Sequence, residues 1–232
     1  MRKSFLIVFL SLTLAFVTGN GVTQAAESKP KPKTSADFKD LKDLDASLKV
    51  KIDKWLAKGY FEGISEDEFG VNETISRAEF AKIIAFTVGL KIDPTLKTSS
   101  FSDVSVNDSV YGYALPYIEA IRRVDITDGI GNNLFDPSGR VTREQLAIFA
   151  IRSLNKDADA RETKIEREDG TVSQYAKHHV ALSKHLFAFL RSEEPFFGTL
   201  PANRRMLLLS LDEITVTYCG CGPSIKQMEK TS

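Results

Sequence analysis

Cysteine is almost missing from this chain of 232 residues: Cys219 and Cys221 are the two, one glycine apart near the C-terminus. A disulfide framework is thereby excluded as what holds the fold, and a Cys-Gly-Cys spacing is too tight for an easy intramolecular bridge. Histidine is equally scarce. His178, His179 and His185 are the three; His179 and His185 lack the i, i+4 spacing of a helical metal pair and read as solvated surface residues, so neither a metal nor a cofactor is expected. Asp125 to Asn133 looks like a calcium loop only superficially, without the alternating oxygen ligands and closing Glu. Net charge is lacking too, with 31 basic against 31 acidic residues, which argues against a nucleic-acid partner. No Ser/His/Asp set or carboxylate pair stands out, so no catalytic residue is assigned and an enzyme is not expected.

Long apolar runs are also absent. Phe5 to Val17 is too short for a membrane span, follows Arg2 and Lys3, and leads into small residues ending TQAA; residues 1–25 therefore read as a secretory signal, with Thr23 and Ala25 at the cleavage positions. Its removal takes two of the 31 basic residues and no acid, leaving the balance near neutral and no membrane span. Residues 26–34 form a Lys/Pro-rich, extended linker.

What the chain has in quantity is self-similarity. Tyr60 to Val88 and Ile126 to Leu154 align without a gap, placing Gly63 on Gly129, Phe69 on Phe135, Ile75 on Val141 and Arg77 on Arg143. A fixed period of this kind marks a repeated supersecondary unit. Leu48, Ile52, Trp55 and Leu56, like Ala114, Ile118 and Ile121, recur at helical spacing before the glycine turn; Phe80, Ile83, Ile84 and Val88, like Leu146, Phe149, Ala150 and Leu154, do so after it. Each unit is helix, glycine loop, helix, and no unit can bury its stripes alone. Phe38-x-Asp40 and Phe101-x-Asp103 open the first two. Asp169 to Leu190 and Phe196 to Ile214 read as a worn third copy, with Tyr175-Ala176 facing Tyr113-Ala114, Arg204 in the place of Arg143 after one deleted residue, and Leu190 near the place of the missing glycine. Asn155 to Asp169 is a charged connector, or in part a solvated helix. The expected divisions are 35–98, 99–160, 161–218 and a tail, 219–232.

Ser76 to Glu79 and Thr142 to Gln145 match the capping box. That accounts for the hydroxyls and the acid or amide, but not for Arg77, Arg143 and Arg204, which face the positive end of a helix dipole at a cost of roughly 0.3–1 kcal/mol each. Two explanations are open. A guanidinium beside free helix-terminal amides suits a carboxylate or phosphate; alternatively each arginine pairs with an acid of the neighbouring repeat, such as Asp40 or Asp103.

These motifs, FSDV, YALPYIEAI and ITDGIGNNLFDPSGRVTREQLAIF, with FKDL through ISRAEF in the first repeat, resemble S-layer homology modules. The resemblance implies an all-α fold in which three modules form a pseudo-threefold, three-pronged spindle. It implies a secreted protein on the surface of a Gram-positive-type bacterium, anchored non-covalently to a secondary cell wall polymer whose pyruvyl carboxylates bind in grooves between modules. The family's motif positions fall on Arg77, Arg143 and Arg204, Ser76 and Thr142, Asp40 and Asp103, Gly63 and Gly129, with Tyr113 and Tyr175 replacing its usual tryptophan and Gln145 and Met206 its usual acid. An envelope component that recruits partner proteins is the alternative function.

Overall fold

The computed structural model describes residues 32–191 and 194–221; the expected signal peptide, most of the linker and the end of the tail lie outside the described residues. The described part is all-α, with helices α1 (Ala46–Ala57), α2 (Arg77–Thr87), α3 (Leu115–Arg123), α4 (Arg143–Ser153), α5 (Asp157–Glu162), α6 (Lys177–Leu186) and α7 (Arg204–Cys221). Among the described residues there is no β-strand, only isolated bridges between loops, and no helix is long and apolar enough to cross a membrane.

The helices begin where local chemistry satisfies their first amides. Asp45 accepts the Leu48 amide at 2.9 Å to start α1, and α3 follows a 3-10 turn, Gly112–Ala114, with Pro116 in its first turn, where a missing N–H costs nothing. A matching 3-10 turn, Gln174–Ala176, precedes α6, so Tyr113-Ala114 and Tyr175-Ala176 occupy the same local structure. The apolar stripes are buried as their spacing required: Ile52, Trp55, Ile118, Ile121, Leu207, Leu208 and Leu211 are sealed from solvent.

Helices of one repeat do not pair chiefly with each other. The main pairings join α2 to α3, α4 to α6 and α7 to α1, so the second helix of each repeat lies against the first helix of the next, and the last repeat returns to the first. Lys51 and Lys54 on α1 both bond Asp212 on α7 at that return. Phe80 and Phe149 stack at 4.7 Å between α2 and α4, and aromatic pairs in this range add to simple burial.

Each repeat also carries an internal clamp. Asp40 accepts the amides of Phe69 and Gly70, both at 2.8 Å; Asp103 accepts those of Phe135 and Asp136; Asp169 accepts that of Phe196 at 2.7 Å. The clamp brings the loop phenylalanine to the same place three times. Phe196 precedes Arg204 by the same eight residues that separate Phe69 from Arg77 and Phe135 from Arg143, so the deletion expected between repeats two and three is not needed. Gly63 and Gly129 are required by packing: a Cβ there would stand 2.5 and 2.6 Å from the rings of Phe38 and Phe101.

The charged connector forms one short helix, α5, with Ala160 buried. Its Asp157 bonds Arg152 at 3.0 Å and His179 at 2.8 Å. His179 is therefore buried rather than solvated, because α5 packs over α6. Helix α7 continues to Cys221, so residues 219–221, placed above in a tail, are helical.

Burial pushes the Asp157 carboxyl upward, but hydrogen bonds from His179 and Arg152 outweigh it and hold the group at about 2, below the ordinary 3.8. A carboxyl lowered by folding stabilises fully above its unfolded value and loses that contribution as pH falls through the folded one. The melting-temperature gap between the parent and Asp157→Asn should thus be constant above about pH 5 and close towards about pH 2. A gap independent of pH would show the network to be inert.

Candidate functional site at the repeat junctions

The first three amides of α2, α4 and α7 are all occupied. Arg77 and Ala78 donate to the carbonyls of Gly139 and Pro137 of the second repeat, at 2.9 and 3.0 Å. Arg143 and Glu144 donate to Leu200 and Gly198 of the third, both at 2.9 Å. Arg204 and Arg205 donate to Glu73 and Val71 of the first, again at 2.9 Å. The next amide is capped by Ser76, Thr142 or Asn203 respectively. The expectation of free helix-terminal amides awaiting an anion is thereby corrected, since neighbouring loops supply the acceptors such a terminus needs.

The three arginines follow the same cycle. Arg77 donates through Nε to the Phe135 carbonyl at 2.6 Å and lies over the Phe135 ring, 4.7 Å from its centre. Arg143 lies over Phe196 at 5.1 Å. Arg204 lies over Phe69 at 4.8 Å and Phe61 at 5.2 Å, and donates to Glu79 at 2.7 Å and to the Glu62 carbonyl. Guanidinium stacked on an aromatic face is favourable where it is desolvated. Burial lowers the pKa of Arg77, with Asp136 and Asp103 pulling the other way, and that of Arg204, with Glu79 opposing. Arg77 and Arg204 are 2% and 3% exposed, whereas Arg143 is only half-buried.

The acid that meets an arginine across a junction is therefore Glu79, while Asp40 and Asp103 act through the backbone beneath the stacked ring. This also changes one cap. Thr142 and Gln145 form the reciprocal capping box, but at Ser76 only the hydroxyl half is present, because the Glu79 carboxylate is drawn to Arg204.

Tyr113 and Tyr175 sit at the mouths of the first two junctions, 48% and 62% exposed. Tyr113 lies under Lys82 of the preceding repeat. Tyr175 donates to Glu144 of the preceding repeat at 2.7 Å, and burial followed by that carboxylate pushes its hydroxyl up to about 12, so it stays a donor. Glu144, 2% exposed, also accepts the Ser173 amide at 2.9 Å and lies against Gly198. Sequence reasoning missed Glu144, for which no repeat signal exists: Ala78 and Arg205 hold its equivalent places. It also missed Asp169 as the third clamp, although Asp169 precedes a loop phenylalanine at nearly the spacing of Asp40 and Asp103.

Arg204 closes the cycle, so its loss should be felt in stability. Arg204→Ala and Arg204→Lys should each destabilise the chain by roughly 2–4 kcal/mol, since a lysine cannot stack and bridge at once and Glu79 loses its partner. Urea unfolding measures this; a change below about 0.5 kcal/mol, the usual scatter of surface substitutions, would make the clasp ornamental.

Comparison with known proteins agrees with this architecture. The family model described as the S-layer homology domain matches residues 37–81 and 100–147. The chain is 32% identical over 159 residues to the surface-layer 125 kDa protein of Lysinibacillus sphaericus, covering 65% of this chain and 13% of that one. It is 30% identical to the exoglucanase XynX of Acetivibrio thermocellus, covering 64% and 13%, and 27% identical to the S-layer protein sap of Bacillus anthracis, covering 66% and 17%. The chain thus spans only a small part of these relatives. Two segments of the chain, joined by the contacts described above, match the S-layer homology domain.

Proposed function

We propose that this protein is secreted and anchors non-covalently to the cell wall by binding an anionic, pyruvylated secondary cell wall polymer at the junctions between its repeats, the third repeat being a divergent module of the same kind. The observation that carries the reading is half-buried Arg143 stacked on Phe196, in the arrangement that Arg77 and Arg204 repeat on Phe135 and Phe69, at a junction beside which Tyr175 is exposed. A planar, permanently charged fork suits a carboxylate, and an exposed aromatic face suits the apolar side of a sugar or a pyruvyl methyl. Because the helix amides are occupied, recognition falls to side chains. Arg77 and Arg204, being sealed, serve the junctions structurally, so the ligand role expected of all three arginines is assigned to Arg143 first. The relatives that share this segment, a surface-layer protein and an exoglucanase among them, have different names and much longer chains, which fits an attachment function separable from whatever is attached.

The intact chain should sediment with native walls and not with walls stripped of secondary polymer. Arg143→Lys and Arg143→Ala should weaken sedimentation at least about tenfold, while the melting temperature of Arg143→Lys stays near that of the parent, since the fork and not the charge is lost. If both variants and the parent bind native and stripped walls alike, the anchoring reading fails.

A further inference from the structure

The third repeat departs from the first two at three linked positions. Arg167 stands two residues before the clamp Asp169, where the other repeats bury Phe38 and Phe101, and its side chain is 79% exposed. Leu190, buried, stands six residues before Phe196, where the others place Gly63 and Gly129 against those rings. Ala181 takes the helical position of Asp53, which accepts the Ser35 amide, and of Glu119, which accepts the Ser99 hydroxyl and the Ser100 amide. Those acids tether the segment ahead of the clamp onto the first helix of the repeat. With ring and tether both gone, the segment 164–169 stands away from α6, and a cavity of about 350 Å³ opens between them.

The cavity has an apolar floor of Val172, Val180 and Ala181 and a cationic wall of Lys164, Lys177, Lys184 and Arg191. Lys177 occupies the place of the fully buried Leu115, so a charge has replaced an apolar contact. The Lys177 and Lys184 side chains are only 18% and 20% exposed. Among the described residues their compensation is partial, Lys184 also lying over the Phe196 ring at 5.7 Å. Lys177 meets Glu168, which is 70% exposed, and Lys184 reaches Glu194 only at 3.7 Å, while that carboxylate bonds Arg167 at 2.6 Å. Of the acids on the wall, Asp169 is committed to the Phe196 and Thr171 amides and Glu166 is exposed. Cations gathered in a concavity with low-dielectric walls focus their field on an anion entering it, and the volume is that of a small-ligand pocket.

We propose that this cavity is a second binding site, distinct from the repeat junctions, for a carboxylate- or phosphate-bearing ligand of monosaccharide size. Such a group could arrive free or as a unit of a wall glycan; the chemistry recognised is the same, an anion on the lysines with a sugar face on the valines.

Calorimetric titration of the intact chain with glucuronate, glucose 6-phosphate, glucose, inorganic phosphate and oligosaccharides released from the wall polymer tests this. The two charged sugars should bind at least about tenfold more tightly than glucose or inorganic phosphate. The oligosaccharides bind comparably if the source is the wall and not at all at this site if it is free. Lys184→Gln combined with Arg191→Gln should weaken binding at least about tenfold, and Ala181→Glu, which returns the acid of the other repeats, should abolish it, with melting curves confirming that both fold. The folded Ala181→Glu variant should still sediment with native walls through Arg143, which separates this site from the wall-anchoring one. Equal binding of glucose and glucuronate, inorganic phosphate matching the sugars, or folded cavity variants that bind like the parent would each overturn the proposal.

Discussion

The first turn of a helix leaves amides without intrahelical acceptors, and in this protein those of α2, α4 and α7 are filled by carbonyls of a different repeat. Everything else depends on that exchange. Each loop must present two carbonyls at a fixed place, which is what the Asp40, Asp103 and Asp169 clamps secure by gripping the amides at the loop phenylalanine. Because the donors of the third repeat return to the loop of the first, the repeats close into a cycle and do not stack as an open array. An end repeat here has a neighbour on both sides, so its apolar stripes need no polar cap of the kind an open solenoid requires.

The arginines make sense within that cycle. A positive side chain at a helix N-terminus is unfavourable against the bare dipole, but carbonyls from the next loop neutralise the terminus before the guanidinium is added. Each guanidinium then lies over the phenylalanine that the next repeat's clamp holds in place. Clamp, ring and arginine form one unit spanning two repeats. Such a unit ties two repeats together through side chains, and under the proposed anchoring role it would hold those side chains in place before a ligand arrives, sparing ordering costs.

The third repeat keeps this unit and relaxes the rest. Phe196, Asp169 and Arg204 retain the roles of their counterparts, whereas the opening phenylalanine, the turn glycine and the tethering acid are all replaced. The exchanges are coupled by volume: a leucine fits at position 190 because no ring from residue 167 presses on it, as Phe38 and Phe101 press on Gly63 and Gly129. What divergence has spared is the part that closes the cycle, and what it has altered faces the connector.

Periodicity marked the paired helices and the equivalence of the first two repeats, because burying a stripe at a spacing of 3.6 residues is a local requirement that a chain writes locally, whereas α5 and the register of the third repeat came from the fold. The caps at Ser76 and Thr142 were legible from their own local pattern, and Arg77, Arg143 and Arg204 were visible as residues that break a local rule. What those arginines touch was not legible. Glu79 serves a cap or an arginine depending on which lies nearer, and Asp40 carries the same letters whether it meets a guanidinium or a backbone amide. His179 reads as solvent-facing until α5 is laid over it, and Glu144 carries no repeat signal until Tyr175 and Ser173 arrive from the next repeat. Those contacts join residues 22 to 125 positions apart. Only the tertiary structure could assign them, because a hydrogen bond needs its partners within about 3 Å and sequence order imposes no such nearness between repeats.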